Sequence, residues 1–143
     1  MTQLDPVRQL LSDRGCPEDV VAAGLDGLVA RWSSIVANVE TGYALGLDDL
    51  LNDLDTRDAL SGALAVAAPA DAMGARAQVD SLDERLRAVS IVTGCLWGED
   101  VEEDDGLTSR EQWWYYRRPS RLNDDLAAEL EAWGLLHGRE DTA

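Results

Sequence analysis

Lysine and phenylalanine do not occur in this chain, histidine occurs once, and cysteine only twice. Each scarcity removes a class of function. A single histidine and two cysteines, Cys16 and Cys95, without a CxxC spacing do not make a zinc cluster, and both read as free thiols of a reducing compartment. The chain is therefore expected to be cytoplasmic. Nucleophilic catalysis lacks its parts too: the sole base of the right kind, His137, falls near the C-terminal end, and neither a G-x-S-x-G elbow nor a G-x-x-x-x-G-K loop is present. No enzyme is expected. No unbroken apolar run approaches the ~20 residues that span a bilayer, and the first residues carry Asp5, Arg8 and Asp13 in place of a basic and then apolar leader. No membrane contact is expected.

Acid is what the chain has in excess. Asp and Glu number 28 against 12 cations, all arginine, for a net charge of −16. Such a surface repels a phosphate backbone, so no nucleic-acid contact is expected. A basic protein partner and a genome-wide compositional bias are the two explanations of the acidity. With 143 residues, the chain has the length of one domain able to bury about 68 to 70% of its unfolded surface.

Apolar spacing predicts an all-α, single-domain bundle of five or six helices over 1–143, with a frayed tail after about residue 134. Asp5 and Pro6 open a first helix that Gly15 ends, and Pro17, Glu18 and Asp19 open a second, weakened at Gly24 and Gly27, with Trp32 in the core. Leu47, Leu50, Leu51 and Leu54 form the stripe of a third helix, with a kink expected near Asp55 and a break before Pro69. Ala72 to Thr93 keeps helical spacing up to Gly94, with Asp83, Glu84, Arg85 and Arg87 placed outside. Residues 98–106 read as a surface loop. Thr108 to Glu111 fits a capping box for a short helix ending before Pro119, with an extended alternative from the β-propensity of the rings, and Asn123 caps a last helix with Leu126, Leu130 and Trp133 inward.

Half the aromatics stand together in Trp113, Trp114, Tyr115 and Tyr116, followed by Arg117 and Arg118. Four adjacent rings cannot all enter one core from a single helix or strand. Either the arginines stack on the rings and pair with nearby acids, or the segment is an interaction hot spot. A calcium loop from Asp100 to Glu111 is a second candidate, with Glu102 and Asp104 at ligand positions; it departs from the pattern because Asp105 sits where glycine is expected. The acidic series Asp48, Asp49, Asp53, Asp55 and Asp58 is a third candidate, for a small ligand or divalent cation.

The segments Leu51-Asn52-Asp53-Leu54-Asp55 with Arg57, and Trp113-Trp114-Tyr115-Tyr116-Arg117, resemble those of a group of small acidic bacterial proteins, over roughly residues 31–119. The resemblance carries no activity. It implies that the third helix and the aromatic segment form one constellation, with Asp53, Asp55 and Arg57 facing Tyr115, Tyr116 and Arg117 in a polar network that is structural or serves recognition. The functional expectation is a non-catalytic acidic interaction domain, an inhibitor or immunity-like partner of a basic protein. Binding of a small ligand or divalent cation is the alternative.

Overall fold

The computed structural model describes residues 5–137. Helix α1 (Pro6–Asp13) starts as its sequence dictates: the Asp5 carboxylate accepts the Arg8 N–H at 2.9 Å, and Pro6 occupies a first turn that needs no donor. Gly15, at φ +77°, turns the chain into α2 (Glu18–Thr41). That helix bends at Gly24, where φ 63° and ψ −147° suit a residue without a Cβ. Beyond the bend it buries Leu28, Trp32, Ile35, Val36 and Val39. Helices α3 (Leu47–Val66) and α4 (Pro69–Ala88) follow, separated by an extended Ala67 and Ala68 ahead of Pro69. All of α1, α3 and α4 pack on α2, which makes it the axis of the bundle.

The second half is shorter in its elements. Strand β1 (Ser90–Val92) pairs antiparallel with β2 (Arg117–Pro119), in the register Ser90 to Pro119, Ile91 to Arg118 and Val92 to Arg117. Between them come α5 (Glu99–Asp105) and a 3-10 turn over Trp113–Tyr116. Helix α6 (Asp124–Ala132) closes against α3, capped by Asn123, whose Oδ1 accepts the Leu126 N–H at 2.7 Å. Among the described residues the fold is thus an all-α bundle of six helices with one two-stranded ribbon.

Several expectations are corrected. Helix α4 stops at Ala88, and the residues up to Val92 leave helical geometry to pair with a partner far along the chain. Residues 99–105 are a helix and not a loop, because Glu99, Asp100 and Glu102 favour the positive end of the helix dipole and Gly106, at φ 66°, ends it in left-handed geometry. Helix α3 runs through Asp55 without a break. No helix starts at Thr108: residues 109–112 turn, with Thr108 Oγ1 accepting the Glu111 N–H and Gln112 Oε1 accepting the Thr108 N–H, and the segment becomes a 3-10 turn only at Trp113. Trp133, expected inward, is 69% exposed. Leu135 and Leu136 pack on the core, and residues 138–143 of the expected tail lie outside those described. Helix α2 is long and apolar enough, by length and composition, to cross a membrane, which no unbroken apolar run in the sequence had suggested.

Candidate functional site

Arg57 lies between Leu54 and Leu60 at helical spacing, so the apolar stripe of α3 carries it into the core. Asp83 occupies the matching place on α4, four residues after Val79 and three before Leu86. The two meet as a forked pair: Arg57 Nε donates to Asp83 Oδ1 at 3.0 Å and Nη2 donates to Oδ2 at 2.9 Å. Trp32 Nε1 donates to the same Oδ1 at 3.0 Å. Arg57 is 8% exposed and Asp83 4%. The guanidinium also covers the Trp114 ring, 4.6 Å from its centroid. Two buried donors at this junction, Arg57 Nη1 and Trp114 Nε1, have no hydrogen-bond partner among the described residues.

Each of the three tyrosines donates its hydroxyl to a carboxylate. Tyr43 reaches Asp53 at 2.6 Å, Tyr115 reaches Asp55, and Tyr116 reaches Glu102. Burial first, and then the adjacent carboxylate, pushes all three hydroxyls well above the ordinary tyrosine range. Burial likewise raises Asp53, against the opposing pull of the Tyr43 hydrogen bond and the Arg31 charge. Trp97 meets Tyr115 edge to face at 6.1 Å, and the Arg87 guanidinium covers Trp113 at 4.1 Å.

The aromatic segment therefore faces inward. Trp114, Tyr115 and Tyr116 are buried and Trp113 half-buried, and a 3-10 turn lets adjacent rings enter different parts of the core. Of the constellation implied by resemblance, Asp55 does meet Tyr115, and Arg57 meets the segment through Trp114. Asp53 is taken by Tyr43 instead, and Tyr116 by Glu102. Arg117 donates to Ser90 Oγ at 3.3 Å and to the Arg87 carbonyl at 3.4 Å. Arg118 donates to the Leu136 and Pro119 carbonyls at 2.6 and 2.8 Å, and burial lowers its pKa.

The acidic candidates divide in two. Asp53, Asp55 and Asp58 are held by Tyr43, Tyr115 and Arg14, whereas Asp48 and Asp49 lie exposed at the start of α3. Asp100, Glu102 and Asp104 are on α5, so the first half of the expected calcium loop is helix, and Glu111 follows beyond it. Among the described residues no group of three or more His, Cys, Asp or Glu is arranged to hold a metal ion. The ion pairs among the described residues are Arg8–Asp5, Arg14–Asp58, Arg57–Asp83 and Arg85–Glu40, and none reaches α5. Glu99, Asp100, Glu103, Asp104 and Asp105 stand exposed there.

Comparison with protein-family models, curated proteins and solved structures finds no match for this chain.

Within this site the sequence misplaces Asp83, since three charged neighbours make its stretch read as an outer face. Its spacing from Val79 and Leu86 was the available signal. Nothing in the local sequence pointed to Trp32 as its second donor.

Proposed function

We propose that this protein is a non-catalytic acidic interaction domain that covers a basic protein, as an inhibitor or immunity-like partner would. The observation that carries the reading is the uncompensated charge of α5, where exposed carboxylates have no guanidinium within ion-pair distance among the described residues. Elsewhere arginines serve the fold: Arg57 is buried against Asp83, and Arg118 is bound to backbone carbonyls. Negative charge left on the outside produces a field that speeds encounter with a cationic surface. Trp114, Tyr115 and Tyr116 act in this reading as the rigid base on which the acidic helix is mounted, through the Tyr116–Glu102 hydrogen bond. Trp133 and Trp97, both exposed, are the rings open to serve as anchors, while Arg87 covers the half-buried Trp113.

The test is affinity capture from the host lysate at low salt. The reference is a variant with Glu99→Gln, Asp100→Asn, Glu103→Gln, Asp104→Asn and Asp105→Asn. A basic protein retained by the native chain, weakly held by the variant and released by salt supports the reading. Identical capture by both forms contradicts it. A second reading, binding of a small ligand, rests on a crevice of about 380 Å³ lined by Arg14, Arg31, Asn52 and Asp55, and ligand-dependent stabilisation would show it.

A further inference from the structure

A groove of about 1250 Å³ opens between the start of α1, the N-terminal half of α2 and the N-terminal half of α4. Its walls are low. Ala23 and Ala30 come from α2, and Gly74 and Ala77 from α4, so another backbone can approach both helices closely. Helix α2 exposes only Ala23, Asp26 and Ala30 in this lining, because its larger apolar residues there, Leu25 and Val29, pack into the core. The rim is acidic. Asp26 and Asp71 line the groove, both exposed, and neither forms an ion pair among the described residues. The one cation of the lining, Arg8, is tied to Asp5 at 3.0 Å and to the Ala22 carbonyl at 3.0 Å.

We infer that this groove docks an amphipathic helix with a basic flank, contributed by the partner protein. The inference rests on the proposed function and names the element of the partner that is recognised. An apolar floor of small side chains suits the apolar face of a helix, which is about 10 Å across, and the carboxylates of the rim suit Lys or Arg beside that face. Charge decides among occupants. A second copy would bring another net −16 to the same rim, and an anionic lipid surface would be repelled in the same way.

The probe is a synthetic, fluorescein-labelled helical peptide of Lys, Leu and Ala with its lysines on one face, followed by fluorescence anisotropy at low salt. A peptide with Glu in place of Lys is the control. Gly74→Trp adds bulk at the groove lining without altering charge, at a position where an added Cβ meets nothing within 4 Å. Ala77→Arg, at an exposed position, blocks the same floor with like charge. Each variant is first checked for an unchanged melting temperature. The expected result is that the Lys peptide binds and the Glu peptide does not, and that each groove variant weakens binding by about tenfold or more. Asp26→Asn with Asp71→Asn should weaken it less. Full binding by both groove variants, together with loss on neutralising α5, would overturn the groove while leaving the acidic interaction reading in place. Failure of the native protein to bind the Lys peptide would overturn the groove as well, and lysate capture separately decides the broader reading. Co-sedimentation with phosphatidylcholine vesicles would assign the groove to a membrane and overturn the helical occupant.

Discussion

Helix α5 and the aromatic turn over Trp113–Tyr116 are close neighbours in the chain, and they treat charge in opposite ways. In the core beside the turn, the Arg57 charge is met by Asp83 with two hydrogen bonds and covered by a tryptophan ring. On α5, five carboxylates face solvent without a cation in ion-pair distance among the described residues. The difference follows from solvation. A buried charge without a partner is costly by several kcal/mol, so the fold provides one, whereas water already stabilises an exposed carboxylate. Charge inside this molecule therefore specifies structure, and charge outside is free to act on something else. Tyr116 and Glu102 join the two regions.

The comparison breaks most severely at Asp83. Asp83→Ala leaves the Arg57 guanidinium buried without its counter-ion, and chemical denaturation should show a loss of about 3 to 5 kcal/mol. Replacing both partners by apolar residues, Arg57→Met with Asp83→Leu, should restore much of that loss, because no unpaired charge remains. A double variant as unstable as the single one would refute the assignment of the cost to the unpaired arginine.

A smaller effect is expected at Tyr115, where Tyr115→Phe keeps the ring in the core and removes only the hydroxyl bonded to Asp55. About 1 kcal/mol should be lost in the same assay. Alkaline titration sharpens the point. All three tyrosines are held above their ordinary range in the fold, so their contribution is fully present below the unfolded tyrosine value of about 10 and is lost as pH rises beyond it. Tyrosinate absorbance should therefore appear together with unfolding, in one cooperative step. A gradual rise in the native state would show hydroxyls that titrate freely.

The smallest effect on stability belongs to α5. Neutralising Glu103, Asp104 and Asp105, which lie past the acidic first turn, should alter the unfolding free energy by no more than about 0.5 kcal/mol, since none of them forms an ion pair among the described residues. A loss several times larger would mean that the acidic helix has a structural role.

Local chemistry made much of the bundle legible. Asp5 with Pro6, Pro17 with Glu18 and Asp19, the break before Pro69 and the Asn123 cap each act within one helical turn, and each is where the sequence put it. What escaped depends on contacts across the chain. Residues 90–92 keep a helical rhythm, yet they become a strand because residues 117–119 pair with them. The segment 99–105 has almost no apolar periodicity, so only its acidic first turn and Gly106 marked it as a helix. At the candidate site, the meeting of Asp55 with Tyr115 was implied by resemblance. The exchange of partners that gives Asp53 to Tyr43 and Glu102 to Tyr116 follows from the packing of four elements and has no local signature.

The most direct test of the account is the salt dependence of association between this protein and its captured basic partner, measured by stopped flow for the native chain and the α5-neutralised variant. The native on-rate should fall steeply as salt rises while the off-rate changes little, and neutralisation should flatten this dependence in a variant that remains folded at the assay temperature. Equal salt slopes for the two proteins would contradict it.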